Sequence, residues 1–371
     1  MVLAGGGTGG HLYPALAVAA ALRQELPAGE TLEALYVGPV SRGEADLVRR
    51  AGLPFRAISA GPLRVSRPWA FAWGLTRLAW GSLQAYRELG RYRPEGVFAT
   101  GGYASVPAAL AAWLRREPLL LYLPDVEPGW AVGFTARLAR KVAVSVEASM
   151  ARLPAGKGVI TGYPVRETFF GIDKAEARRK LGLEVSGKTL LATGATAGAH
   201  SINQAVAGNL PRLLALAQVV HVSGAADHGW LQKVAERLPQ GLRSRYHLYP
   251  YLDEMPWAMA AADLAVMRAG ASVLGELTAT GLPAVLVPYR YAGGHQRHNA
   301  FHIMSLGGAI VMEDSQLPQL YATVRDLLGD EARLARMSAA LRSAARPQAA
   351  RDIARLLREV AEGDSPRRVT A

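Results

Sequence analysis

Five glycines fill six positions at Gly5-Gly6-Gly7-Thr8-Gly9-Gly10, just after the apolar start Met1 to Ala4 and just before His11-Leu12-Tyr13-Pro14. The stretch reads as strand, turn, helix. Pro14 suits a first helical turn, where its missing N–H would be unpaired anyway. Ala15 to Leu26 is expected to continue as a helix with an apolar stripe. So much backbone freedom is an entropic cost that a plain turn would not need. Without Cβ atoms the turn leaves space on which backbone N–H groups and a helix N-terminus converge, a setting that favours negative charge. His11 stands at its mouth and can move a proton near neutral pH. The spacing Gly5-x-Gly7-x-x-Gly10 also fits a dinucleotide loop. That loop wants an acidic residue at the end of the second strand to hold a ribose. Here the second strand, Glu33 to Val37, runs into Gly38-Pro39 instead.

At 371 residues two domains are expected. Strand-like runs at Leu35 to Val37, Phe55 to Ile58, Gly96 to Ala99, Leu119 to Tyr122 and Val142 to Val144 alternate with helical stretches, the pattern of a parallel sheet with crossover helices. A second glycine turn, Thr100-Gly101-Gly102-Tyr103, follows one of these strands, and ligands of such sheets gather at strand carboxyl ends. Gly and Pro break the pattern around Ile160 to Arg166. A second series then begins, with strands at Lys188 to Ala192, Gln218 to Val222, His247 to Tyr251, Leu264 to Met267 and Ala284 to Val287, and a third loop from Thr193 to Ala199. The expected fold is α/β, with two doubly wound domains over 1–162 and 163–342 whose glycine turns face a shared cleft. A helix over about 343–362 and a loose basic tail at 363–371 would close the chain.

The chain contains no cysteine, which excludes disulfides and thiolate metal sites. No signal peptide is visible and no apolar run approaches the ~20 residues of a spanning helix. The net charge of +12 suits nucleic acid, an anionic membrane surface or phosphorylated substrates, unless it is only scattered arginine. Trp69, Phe71, Trp73, Leu75, Leu78 and Trp80 cluster with Arg64, Arg67 and Arg77, and Trp113 stands near Arg115 and Arg116. Tryptophans mixed with arginines suit a membrane interface. Ordinary helix packing under a charged outer face is the competing reading. No nucleic-acid module is recognisable, so no nucleic acid is expected as a partner.

Further candidates lie in the second half. Glu276 opens a helix amid apolar neighbours, where a carboxylate can accept the two hydroxyls of a ribose. A surface glutamate favoured by the helix dipole would look the same. Gln296 and Asn299 share a helix face by spacing, and two amides side by side can read sugar hydroxyls. His295 and His298 have metal-ligand spacing without a third ligand nearby. Asp125-Val126-Glu127 comes closest to an acidic pair for a nucleotide-bound cation, but Pro128-Gly129 argues for a loop.

Taken together these residues are familiar. The stretch Gly5 to His11 with Pro14 to Ala17, Gly101-Gly102-Tyr103, Thr161-Gly162-Tyr163-Pro164-Val165-Arg166, Arg268-x-Gly270-Ala271 with Glu276, Gly281-Leu282-Pro283-Ala284 and Gln296-x-x-Asn299-Ala300 resemble the MurG family of peptidoglycan N-acetylglucosaminyltransferases, in order, from residue 1 to about 345. The resemblance implies a GT-B enzyme without metal or cofactor. It would sit peripherally on the cytoplasmic face of the membrane, bound to its anionic surface. It would move N-acetylglucosamine from UDP-N-acetylglucosamine to an undecaprenyl-linked acceptor, lipid I. The donor would meet Thr8, Gly9, Asp125, Arg166, Thr196, Leu252 (through its backbone), Ala271, Ser272, Glu276, Gln296 and Asn299. The acceptor diphosphate and sugar would meet Gly10, His11, Gly101, Gly102 and Tyr103. Trp69, Phe71, Trp73, Arg77, Leu78, Trp80 and Trp113 would rest on the membrane. The catalytic base would be His11, with Asp125 second. The last helix would return to the first domain. The sequence departs from the family at the third glycine loop, which here reads Gly194-Ala195-Thr196-Ala197-Gly198-Ala199. It departs again where His-Glu-Gln-Asn is replaced by Tyr122-Leu123-Pro124-Asp125. A relative acting on another lipid or sugar, a UDP-sugar epimerase of the same architecture and a non-catalytic binder are the alternatives.

Overall fold

The structure, a computed structural model, describes residues 1–363 apart from 7–8, 28, 30, 40–42, 62–67, 195–197 and 290–293. It divides into two compact units. The first comprises Met1–Val165 with the chain from Gln348 onward, and the second Arg166–Pro347.

In the first unit the strands are β1 (Val2–Ala4), β2 (Leu35–Gly38), β3 (Phe55–Ala57), β4 (Val97–Ala99), β5 (Leu119–Leu123), β6 (Lys141–Val144) and β7 (Gly158–Ile160). They form one sheet in the order β3-β2-β1-β4-β5-β6-β7, with every pair parallel. β1, β4 and β5 are buried along their whole length, as a sheet covered by helices on both faces requires. β7 was not foreseen. It is a short, half-buried edge strand that opens on a glycine, too brief to show a period beside the Gly and Pro punctuation that follows.

The first helix, Gly9–Gln24, starts earlier than the sequence suggested, so Pro14 stands inside it and not in its first turn. The reason is visible one turn back. Pro14 has no N–H to give the Gly10 carbonyl, and the Tyr163 hydroxyl donates to that oxygen instead, at 3.3 Å. The replacement bond lets the helix run through the proline and brings two glycines into its opening turn. The helix Ala349–Glu362 belongs to this unit. Its buried stripe includes Ile353, Ala354 and Leu357, while Arg355 pairs with Glu25 at 3.2 Å. Each fully buried leucine of such a stripe contributes roughly 1.5–3 kcal/mol.

In the second unit the strands are β8 (Thr189–Thr193), β9 (Gln218–Val222), β10 (Tyr246–Tyr249), β11 (Leu264–Met267), β12 (Ala284–Leu286) and β13 (Ala309–Val311), in the order β10-β9-β8-β11-β12-β13. All are parallel, and β13 is again a short edge strand that the sequence reading passed over. Both sheets follow one rule. The chain builds outward from its first strand on one side, then returns to build on the other. That reversal opens a crevice beside the first strand, β1 in one unit and β8 in the other, where ligands of doubly wound sheets bind.

Candidate functional site

In the first unit the two glycine turns meet at this crevice. Ala4 of β1 is in register with Ala99 of β4, so the turns leave the sheet side by side. The Thr100 N–H donates to the Ala4 carbonyl at 2.8 Å. His11, in the opening turns of the first helix, is then held across the gap, with Nδ1 2.8 Å from the Thr100 carbonyl oxygen. A carbonyl can only accept, so Nδ1 carries the hydrogen, and in the neutral ring the lone pair is on Nε2. The imidazole is thereby set as an acceptor of protons through Nε2. The second turn makes room for it. Gly101 and Gly102 have φ of +83° and +71°, and a Cβ on Gly102 would lie 3.0 Å from His11 Nε2. Tyr103, in the first turn of the next helix, is 38% exposed and so available to a ligand. Asp125 follows β5 on a half-buried loop, its carbonyl accepting from the Ser149 hydroxyl at 3.3 Å. Gly9 and Gly10 are helical residues here, and the Gly10 carbonyl is engaged by Tyr163. Thr8 and Gly7 lie outside the described residues.

The sequence reading missed what lies beneath the first turn. Glu44 is buried at the start of the helix Glu44–Arg50. A Cβ on Gly6 would stand 2.8 Å from its Oε2. Tyr36 lies behind it, and burial, helped by the Glu44 charge, pushes its phenol well above the ordinary range. Only the acidic start Glu44-Ala45-Asp46 after Gly43 hints at this in the sequence. An acidic helix start is common enough to carry no signal alone.

The second unit repeats the arrangement. Met267 of β11 pairs with Thr193 of β8, so the third glycine loop and Arg268 leave the sheet together. Of that loop Ala195, Thr196 and Ala197 lie outside the described residues. Ala271 and Ser272 precede the helix Val273–Thr280. The Ser272 hydroxyl donates to Glu276 Oε2 at 2.8 Å and holds the carboxylate toward the helix start. Burial raises the Glu276 pKa, and the Ser272 hydrogen bond and the Arg166 charge oppose that rise. A half-buried carboxylate with one oxygen oriented by a serine and a guanidinium nearby is built to accept hydroxyls. Arg166 lies with its guanidinium 5.4 Å from the centre of the Phe169 ring, and Leu252 is half-buried on the loop after β10.

Gln296 and Asn299 do not stand side by side on an open face. Asn299 is fully buried, its amide donating to the Ala269 carbonyl at 3.1 Å, whereas Gln296 accepts from the Tyr289 N–H at 2.9 Å. The reason is the helix His295–Ser305, which turns the Asn299 face onto the β11 loop. Asn299 therefore shapes the Arg268–Gly270 turn from behind. His295 and His298 join no metal cluster: among the described residues no three His, Asp or Glu side chains converge. Arg268, nearly buried, donates to Asp314 at 3.0 Å and to the Ser201 hydroxyl at 2.8 Å, and Ser201 donates to the same carboxylate at 2.6 Å. This brace ties the third glycine loop's helix to the β11 turn. Asp314 was not foreseen, because nothing local marks it.

The aromatic residues of the long helix Pro68–Tyr92 face outward. Trp69, Trp73 and Trp80 are 69%, 67% and 53% exposed, and Trp113 on the neighbouring helix Gly102–Leu114 is 51% exposed. Phe71, Leu75 and Arg77 are exposed too, with Leu78 half-buried. Arg115 lies over the Tyr86 ring, 4.9 Å from its centre, and joins the two helices. Arg64 and Arg67 lie outside the described residues. No described helix is long and apolar enough to cross a membrane.

Two Rossmann-type parallel sheets in one chain, each with glycine-opened helices at its topological switch point, define the GT-B class of α/β protein. Comparison with known proteins agrees. The glycosyltransferase family 28 N-terminal domain matches residues 1–144 and the family 28 C-terminal domain residues 189–355. The UDP-N-acetylglucosamine–N-acetylmuramyl-(pentapeptide) pyrophosphoryl-undecaprenol N-acetylglucosamine transferase of Roseiflexus sp. is 39% identical over 96% of this chain and 93% of its own. The protein of that name from Halothermothrix orenii is 34% identical over 98% and 99%. The crystal structure of Acinetobacter baumannii MurG superposes with a TM-score of 0.71 at 24% identity, over 96% of this chain and 98% of that one, a likeness of fold. The chain belongs to glycosyltransferase family 28, among its MurG-type members.

Proposed function

We propose that this chain is an inverting glycosyltransferase that moves N-acetylglucosamine from UDP-N-acetylglucosamine to the muramoyl 4-hydroxyl of membrane-bound lipid I, making lipid II for peptidoglycan. The observation that carries the reading is the 39% identity to the Roseiflexus enzyme across 96% of the chain. The geometry supports it in both units. In the second, Glu276 takes the ribose hydroxyls, Leu252 meets the base through its backbone, and Arg166, Ala271, Ser272 and Gln296 surround the diphosphate and sugar. In the first, the helix opening at Gly9-Gly10 and the turn at Gly101-Gly102 take the acceptor's diphosphate, with Tyr103 beside its sugar.

His11 is the base. Its Nε2 lone pair accepts the proton as the acceptor hydroxyl attacks the anomeric carbon. The C–O bond to the diphosphate breaks with inversion, and UDP leaves. The charge that develops on it meets loop N–H groups, helix N-termini and Arg166. The outward tryptophans of the helix Pro68–Tyr92, with Arg77 and Trp113, rest the first unit on an anionic membrane.

The test is UDP release from UDP-N-acetylglucosamine with and without lipid I. Release that requires lipid I, with lipid II as product, is the expected result. UDP-sugar conversion without acceptor overturns it in favour of an epimerase. His11→Ala is expected to lower kcat by about two orders of magnitude or more, the usual worth of a general base. If His11→Ala keeps near-normal turnover while Asp125→Asn abolishes it, the base is Asp125.

A further inference from the structure

The first unit carries a second concave surface that the reaction above does not use. A groove of about 670 Å³ lies between the helix Trp130–Leu138 and the short helix Glu147–Arg152, walled by Pro128, Trp130, Phe134, Arg137, Arg152 and Pro154. Trp130 is 66% exposed, yet its ring lies parallel to that of Phe134, 6.1 Å between centres and 8° between planes. Trp130, Phe134 and Arg137 follow each other at helical spacing along one face, while Val132, Thr135 and Ala136 are buried on the other. The rim is cationic. Arg137 is exposed and Arg152 pairs with Glu127 at 2.7 Å, so two cations of the groove wall stand beside one carboxylate.

The buried face of this helix abuts the second glycine turn. A Cβ on Gly101 would lie 3.0 Å from Val132 Cγ2. The groove is thus one helix thickness, about 10 Å, from the turn assigned to the acceptor. We propose that the groove holds the peptide arm of the acceptor, its side chains against Trp130 and Phe134 and its carboxylates beside Arg137 and Arg152. The proposal rests on the preceding functional reading, since the relatives are named for a muramyl-(pentapeptide) acceptor. Muramic acid offers a carboxyl to the peptide's amine, so the far end of the peptide is a free carboxylate. Five extended residues reach about 17 Å, more than the thickness of the intervening helix. Rings stacked on each other along a concavity suit a chain-like ligand. A membrane surface calls for rings that project from a convex one, as on the helix Pro68–Tyr92.

The experiment compares two lipid-linked muramyl diphosphates as acceptors for the full chain, one bearing the pentapeptide and one without it. The wild type is expected to prefer the peptide-bearing acceptor by about tenfold, through KM, the worth of one charge-assisted hydrogen bond. Trp130→Ala and Arg137→Glu are each expected to bring that preference toward one. Arg243→Glu, on an exposed helix of the second unit, retains it. The proposal is overturned if the wild type shows no preference or if both groove variants keep it. It is equally overturned if Trp130→Ala instead lowers binding to anionic vesicles, for the rings are then an anchor. Transfer to neither acceptor would overturn the functional reading and this one with it, whereas transfer without peptide preference overturns this one alone.

Discussion

His11 shows how much a single contact decides. By type it is a base, an acid or a metal ligand, and nothing in its neighbourhood in the sequence separates these. The 2.8 Å contact to the Thr100 carbonyl, 89 residues away, orients the ring and leaves Nε2 to accept a proton. Gly102 then limits what can stand beside it. Alanine at Gly102 meets two obstacles, a left-handed backbone at φ +71° and a Cβ 3.0 Å from Nε2. We expect Gly102→Ala to cost about 1–2 kcal/mol of stability and to move the imidazole enough to lower kcat at least tenfold. Thermal unfolding alongside steady-state rates separates the two effects, and unchanged turnover would show that His11 needs no such clearance.

Among the elements, two helices carry the argument. The opening helix runs through Pro14 because Tyr163, from the far end of the unit, supplies the hydrogen that proline lacks. The helix Pro68–Tyr92 was open to two readings, a membrane face or a packed helix with a charged exterior, and in the structure its tryptophans stand in solvent. Large aromatic groups exposed together on one element mark a surface meant to be covered. Replacing Trp69, Trp73 and Trp80 together by serine is expected to weaken binding to anionic vesicles by at least tenfold, while far-ultraviolet dichroism and activity on a detergent-solubilised acceptor are retained. Raising salt is expected to weaken wild-type binding as well, since Arg77 contributes by charge. Sedimentation with vesicles of phosphatidylglycerol measures both, and equal binding by wild type and triple variant would remove the membrane role from this helix.

For the molecule as a whole, the second unit has an acid-sensitive joint. His221 of β9 is fully buried, with Nε2 2.9 Å from Asn203 Oδ1 and Nδ1 2.8 Å from the Tyr246 hydroxyl. Asn203 in turn donates to Asp227 at 2.7 Å. Burial lowers the His221 pKa from 6.5 to about 4. A buried neutral histidine binds its proton less readily folded than unfolded. Its contribution is therefore fully present above pH 6.5 and is lost progressively as pH falls toward 4, by on the order of 3 kcal/mol. Asp227, held below its ordinary value by hydrogen bonds from Trp230, Asn203 and His200, is lost in the same direction at lower pH. Denaturant unfolding of the full chain between pH 7 and pH 4 is expected to show this decline, and His221→Gln to flatten it. A decline that persists unchanged in the variant would place the sensitivity elsewhere.

Much of this molecule was legible in one dimension. The alternation of strand and helix, the glycine turns and the carboxylate of Glu276 are local signals, because period, backbone freedom and residue chemistry act over a few neighbours. Those signals also sufficed for the resemblance to the family. The short edge strands β7 and β13 escaped because three residues cannot display a period. The inward amide of Asn299 escaped because helical spacing alone does not say which face meets the core. What only tertiary structure decided is which distant groups meet: His11 with Thr100, Gly10 with Tyr163, and Arg268 with Ser201 and Asp314. The reason is the order of the sheets. Each chain half returns to the side of its first strand only after building away from it. The residues that complete each site therefore come from segments far apart in sequence, and no local pattern records the pairing.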